Sequence, residues 1–196
     1  MDVILASGSA SRRALLAGAG VVVDAVKPGV DEDALKRSLR ADGQSVRDQA
    51  MALAEMKAKR VSQSRPGLVI GGDQMLALGE DAFDKPADLD GARAHLKALS
   101  GRTHTLETAL VICEGGAPVW RHLSRPKLTM RALSPAFIDQ YVEACGEALL
   151  TSVGAYQLER MGSQLFTKID GDYFSILGLP LLPLLDYLRV RGVLPS

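Results

Sequence analysis

Ile4-Leu5-Ala6-Ser7-Gly8-Ser9-Ala10-Ser11-Arg12-Arg13-Ala14-Leu15-Leu16 runs from a short apolar strand, through small hydroxyl residues, into a helix with arginines in its first turn. A strand-to-helix turn aims unpaired backbone N–H groups and the positive end of the helix dipole at one point. Ser7, Ser9, Arg12 and Arg13 add hydroxyl and guanidinium donors there, which is the outline of a phosphate site. The same letters also read as ordinary serine capping with solvated arginines, because neither G-x-x-x-x-G-K-[ST] nor a strand-placed G-x-G-x-x-G is present.

Working outward, residues 21–26 form a β-branched run between Gly20 and Pro28 and are expected to be a second strand. Asp31-Glu32-Asp33 opens a helical stretch. From Ser45, the residues Val46, Ala50, Leu53, Ala54, Lys57, Ala58 and Val61 recur at helical spacing. Lys57 lies on or beside that buried face, where a lysine ordinarily snorkels to solvent. Residues 68–78 read as a buried strand carrying Gly71-Gly72-Asp73, followed by a turn at Gly79-Glu80-Asp81 and then Lys85-Pro86. A helix is expected over 88–99 with Asp88 or Asp90 near its N-cap and Ser100-Gly101 past its end. Strands are expected over 103–113 and 119–130, a helix from Ser134-Pro135 through Tyr141, a strand over 164–169, and a last helix entered at Pro180. His104 reads as a structural strand residue, and Trp120 as strand packing or a dimer contact. Strands alternating with helices, together with hairpins, predict an α/β protein with a mixed sheet.

Composition narrows the partners. Lysines plus arginines and aspartates plus glutamates both number 23, so the net charge is zero, and no run of like charge is present to track a nucleic-acid backbone or an anionic membrane. Cys113 and Cys145 lack C-x-x-C spacing, and His95, His104 and His122 are scattered, which argues for a reduced compartment and against a zinc site. The apolar stretch 176–185 is cut by Pro180 and Pro183 and is too short to span a bilayer. With no basic, apolar leader at Met1-Asp2, the expectation is a soluble cytoplasmic protein. Its size and apolar content are compatible with pairing as a homodimer.

An aspartate in an apolar strand beside paired glycines is costly to desolvate unless a cation or donor meets it. Asp73 is therefore the foremost candidate for a general base or metal ligand, with a turn-capping role as the alternative. Lys85 follows the short hairpin and can offer a point charge to a polyphosphate, or be a plain surface lysine. Ser7, Ser9, Arg12, Arg13, Lys57, Asp73 and Lys85 together supply cationic donors for a triphosphate and a carboxylate for Mg²⁺, a set suited to phosphoanhydride hydrolysis.

Ala6-Ser7-Gly8-Ser9-x-x-Arg12, Lys57-Ala58, Gly71-Gly72-Asp73, Lys85-Pro86, Leu99-Ser100-Gly101-x-x-His104, Gly154-Ala155-Tyr156, Gly171-Asp172-Tyr173 and Gly178-Leu179-Pro180-Leu181, in that order, resemble the Maf family of nucleotide pyrophosphatases. The resemblance covers nearly the whole chain. It implies one domain over 1–196, with two lobes around a nucleotide cleft and a long mixed central sheet, similar to the house-cleaning inosine triphosphate pyrophosphatases. It implies metal-dependent cleavage of a nucleoside triphosphate to monophosphate and pyrophosphate with Mg²⁺, Mn²⁺ or Co²⁺. Carried over by position, Ser7, Ser9, Arg12, Lys57 and Lys85 bind phosphate, Asp73 is the catalytic acid/base, and Glu32 matches an acidic, metal-side position.

The family's branches differ at three places. The branch acting on dTTP and UTP has Arg where this chain has Ser11, Thr where it has Gln74, and Gln where it has Glu159. Gln74 and Glu159 resemble the 7-methyl-GTP branch, although that branch carries Trp at the Ser11 position and Gly154-Ala155-Tyr156 looks more like the dTTP/UTP branch. A carboxylate at Glu159 accepts two hydrogen bonds, which suits the guanine N1–H and N2–H₂ edge and gains from the positive charge of a 7-methylated ring. Glu159 also reads as an exposed partner of Arg160. The resemblance leaves open a non-catalytic nucleotide-binding regulator, since the family is linked to arrest of septum formation and cell division.

Overall fold

Side-chain caps decide where most of the helices begin. In the computed structural model, which describes residues 2–195, Ser9 caps α1 (Ala10–Gly18), Asp31 caps α2 (Glu32–Ala41) and Ser45 caps α3 (Val46–Ser62). Asp88, rather than Asp90, caps α4 (Leu89–Leu99) through a 2.7 Å bond from the Gly91 N–H. Ser134 caps α5 (Pro135–Cys145), with proline at the first turn. Asp172 caps the short α6 (Tyr173–Ile176), and α7 (Leu181–Val190) is entered at Pro180. Each cap satisfies an N–H that the first turn leaves unpaired.

The strands are β1 (Val3–Ala6), β2 (Asp24–Ala25), β3 (Leu68–Leu78), β4 (Asp81–Phe83), β5 (Thr103–Glu114), β6 (Ala117–Ser124), β7 (Lys127–Met130) and β8 (Phe166–Asp170). They form a mixed sheet in the order β2-β1-β3-β5-β7-β8, with β4 on β3 and β6 on β5. β1 runs parallel to β2 and β3, while β4, β6, β7 and β8 pair antiparallel to their neighbours.

The chain divides into two compact units. The first comprises residues 2–74, 108–124 and 172–195, and the second residues 75–107 and 125–171. β3 and β5 each contribute one part to either unit. In the first unit β1 is buried along its whole length, as a parallel strand covered on both faces must be. Leu5, Leu68 and Ile70 pack with Leu16, Leu179, Leu184 and Leu188 on one face, and Ile4, Ala6 and Val69 pack with Val61 of α3 on the other. Trp120 stacks on His122 and on Tyr187 of α7 within this unit. In the second unit His104, Tyr156 and Phe166 form an aromatic cluster, and α4 packs on α5.

Two strand expectations are corrected. Residues 21–26 do not form one strand, since only Asp24–Ala25 pairs with β1. The Val21 N–H instead closes the end of α1 on the Leu16 carbonyl, its side chain enters the core, and Val22 is left exposed. Helix closure outweighs β-propensity there, which is a weak and context-dependent preference. The expected strand 119–130 is two strands, broken at Arg125-Pro126. Proline has no N–H for the ladder, and its carbonyl accepts the Leu106 N–H instead.

Candidate active site

Gly71 sets the geometry. A Cβ built there would lie 2.2 Å from the Ala54 carbonyl oxygen and 2.6 Å from the Ala58 nitrogen, so only glycine allows β3 and α3 to approach this closely. Asp73 then follows on β3, and Lys57 lies one residue before Ala58 on α3. The lysine does not snorkel. It is 6% exposed, with Nζ 2.7 Å from Asp73 Oδ1 and 2.8 Å from Oε2 of Glu32, the first residue of α2. One buried ammonium thus joins two carboxylates, and Asp73 is itself only 6% exposed. Such a buried pair is retained at a net desolvation cost that close charge-assisted hydrogen bonds offset.

Arg12 approaches from α1. Its Nε donates to the Gly178 carbonyl at 2.7 Å, and Nη1 donates to Ser7 Oγ at 3.2 Å. Ser7 Oγ also accepts the Ser9 N–H, and Ser9 Oγ accepts the Arg12 N–H as the helix cap. Both hydroxyls act as acceptors in these bonds, which leaves each O–H to donate. Burial pulls the Arg12 guanidinium below its ordinary pKa, and the charges of Asp73 and Glu32 oppose that shift. The arginine and the carboxylates therefore belong to one electrostatic cluster.

Gln74, next to Asp73, turns its amide nitrogen to three protein acceptors: Thr108 Oγ1 and the Ser175 carbonyl, each at 2.9 Å, and the Ile176 carbonyl at 3.1 Å. Gly178 has a φ of +95°, a conformation glycine adopts readily, and this presents its carbonyl to Arg12. Thr108, Ser175 and Gly178 carry no site signal in the sequence reading. Gly178 belongs to the Gly178-Leu179-Pro180-Leu181 motif, but a backbone acceptor has no residue-type signature, so only the fold reveals its role.

The first unit thus gathers Ser7, Ser9, Arg12, Glu32, Lys57, Asp73 and Gln74. Arg13 is exposed on α1, away from the buried face that takes Arg12. Lys85 and Glu159 are exposed residues of the second unit. Lys85 directly precedes the buried Pro86. Glu159 lies beyond a tightly held turn in which Gly154 and Ala155 have φ of +79° and +57°, and the Tyr156 hydroxyl is 2.8 Å from His104 Nε2. Among the described residues no group of three or more His, Cys, Asp or Glu side chains is placed to hold a metal ion, and no helix is long and apolar enough to cross a membrane.

A mixed α/β sheet carrying a buried arginine, a lysine bridging two carboxylates and a serine-capped helix start defines a protein equipped to handle a small anionic ligand. The sequence matches the family described as Maf-like protein over residues 2–191, and the chain belongs to that family. It is 70% identical over 196 residues, covering 100% of this chain and 99% of the relative, to the nucleoside triphosphate pyrophosphatase of Hyphomonas neptunium. It is 54% identical over 195 residues, covering 99% and 96%, to the nucleoside triphosphate pyrophosphatase of Rhodospirillum rubrum. It is also 54% identical over 193 residues, covering 98% and 97%, to the 7-methyl-GTP pyrophosphatase of Mesorhizobium japonicum.

Proposed function

We propose that this chain hydrolyses nucleoside triphosphates to the monophosphate and pyrophosphate, with a divalent metal ion, and that 7-methyl-GTP is its favoured substrate. The observation that carries the reading is the buried Lys57–Asp73 pair, with half-buried Glu32 on the same lysine, beside Arg12. Asp73 bonds Lys57 through Oδ1, and Oδ2 remains to orient a water molecule and accept its proton. Lys57 fixes the orientation of that carboxylate through the Oδ1 contact. The water oxygen adds to phosphorus, the bridge between the α- and β-phosphates breaks, and pyrophosphate leaves. Arg12, the hydroxyls of Ser7 and Ser9, and the N–H groups opening α1 bind phosphate oxygens. Lys85 is assigned to the phosphates as well.

Mg²⁺ is held by one or two carboxylates together with phosphate oxygens and waters, and the same is expected of Mn²⁺ and Co²⁺ in oxygen-rich sites. Asp73 and Glu32 fit that requirement as a pair, so they are the residues assigned to hold the ion. When bound, the metal supplies charge neutralisation for the phosphates. For the base, Glu159 is assigned to the guanine edge, in keeping with relatives named 7-methyl-GTP pyrophosphatase at 48–54% identity.

The test is pyrophosphate release with Mg²⁺ or Mn²⁺ across dTTP, UTP, CTP, GTP and 7-methyl-GTP, by the unsubstituted protein, Asp73→Asn and Glu159→Gln. Turnover is expected for the unsubstituted protein, fastest on 7-methyl-GTP, and lost in Asp73→Asn. Glu159→Gln is expected to lower the guanine-to-uracil rate ratio. Nucleotide binding without turnover in the unsubstituted protein would make the chain a binding regulator instead.

A further inference from the structure

Gln74 resembles the residue at this place in one substrate branch, which invites the reading that its side chain touches the base. The hydrogen bonds point elsewhere. Its amide nitrogen bonds the Ser175 and Ile176 carbonyls and Thr108 Oγ1, and the Thr108 hydroxyl in turn donates to the Ser175 carbonyl at 3.0 Å. The Gly178 N–H reaches the same Ser175 carbonyl at 3.1 Å. One backbone oxygen thus collects donors from β3, from β5 and from the turn that follows α6. Gly178, at the end of that turn, holds Arg12 Nε.

We infer that Gln74 is a positioning residue for Arg12. With Thr108 it clasps the 175–178 turn, and through the Gly178 carbonyl the clasp fixes the plane of the buried guanidinium. With Nε on Gly178 and Nη1 on Ser7, the orientation of Nη2 is set as well, because the guanidinium fork is rigid. A planar donor held on one side presents its other N–H groups to phosphate without further ordering, and ordering costs are what preorganisation removes. This inference rests on the functional reading only where it says that Arg12 meets phosphate.

Two variants remove the clasp from different sides. Gln74→Met keeps length without the amide, and Thr108→Val keeps shape without the hydroxyl. The first readout is hydrogen exchange of the Arg12 Nε–H by nitrogen-15 NMR, which needs no ligand. Exchange is expected to be slow in the unsubstituted protein and faster in both variants. The second is inhibition by inorganic tripolyphosphate with Mg²⁺, a probe without a base. Its inhibition constant is expected to rise roughly ten-fold in each variant. In an Arg12→Ala background, Gln74→Met is expected to add nothing further, which a general loss of folding would not produce. Unchanged Nε–H exchange, or an undiminished Gln74→Met effect in the Arg12→Ala background, would overturn the inference. If the unsubstituted protein fails to bind tripolyphosphate while the Nε–H responds as expected, the functional reading falls and the positioning of Arg12 by Gln74 stands.

Discussion

Asp73 and Glu107 are both buried carboxylates paired with a cation, yet they are arranged for different ends. Glu107, on the part of β5 in the second unit, is 2% exposed, and Arg125 grips both of its oxygens with hydrogen bonds of 2.9–3.1 Å. That fork-to-fork pair is closed, because the geometry of guanidinium and carboxylate is used up on both sides. Arg125 keeps its side chain 55% exposed, so only one partner pays the full desolvation cost. Asp73 in the first unit engages a point-charge donor through one oxygen, and that donor is shared with Glu32. A shared lysine leaves carboxylate acceptor capacity over. Burial alone therefore does not single out a reactive carboxylate. What separates the two is whether the partner engages both carboxylate oxygens or only one.

The sharpest break between the two is Asp73→Asn. Removing the proposed acid/base is expected to lower kcat by about 10² to 10⁴-fold. Lys57 retains Glu32 in that variant, so the thermal midpoint is expected to move little. Pyrophosphate release and a melting curve on the same sample check both halves, and a collapsed melt would show Asp73 to be mainly structural. Gly71→Ala attacks the placement of the pair instead. Its Cβ meets the backbone of α3 at 2.2 Å, which no rotamer change relieves. The expected cost is about 3 kcal/mol of stability, read by urea unfolding, and an unchanged midpoint would show that α3 and β3 tolerate separation.

Part of this arrangement is legible in the chain. Paired glycines before an aspartate in an apolar strand announce a close backbone approach at a charged group, and Ser-rich letters before Arg12 announce a capped helix start. The sequence separates Lys57 from Asp73 by 16 positions, and only the packing of helix on strand turns a lysine that ordinarily snorkels into a buried partner. Arg12 and Arg13 are equal as letters, and the helical rotation between them buries one and exposes the other. The Gly178 carbonyl and the Ser175 carbonyl are invisible beforehand because every residue has such an oxygen. Residues 21–26 mislead for a related reason, since the N–H that closes α1 is supplied by a valine whose side chain advertises a strand.

A third buried polar group extends the comparison to a pair that carries no charge. His104 is 1% exposed against the Tyr156 hydroxyl, and burial pushes its pKa down to about 4 from 6.5. Burial likewise raises the Tyr156 hydroxyl above its ordinary value, so both partners stay neutral near pH 7. A histidine held neutral in the fold binds its proton more readily when unfolded. Stability from this pair is therefore present in full above about pH 6.5 and is lost as pH falls toward 4. At 1.36 kcal/mol per unit, the loss amounts to about 3 kcal/mol. His104→Gln is expected to flatten that part of the profile in urea unfolding between pH 8 and pH 4. Parallel profiles for the two proteins would mean that His104 does not carry the dependence.

Glu107→Gln is the mildest of these changes and the one that tests the closed half of the comparison. Glutamine keeps the shape and one acceptor oxygen for Arg125, but it turns an amide toward the guanidinium and discards the charge. The arginine left behind is half in water, so it is not stranded as a buried ion would be. The expected loss is about 2 kcal/mol, the scale of a hydrogen bond to a charged group, read as a lower urea midpoint. Turnover per folded molecule is expected to be unchanged, because both oxygens of Glu107 are already committed within its own unit. A fall in pyrophosphate release at full folding would remove the distinction between a consumed carboxylate and a held one. In that case, burial beside a cation would have to count as a sign of function in both units.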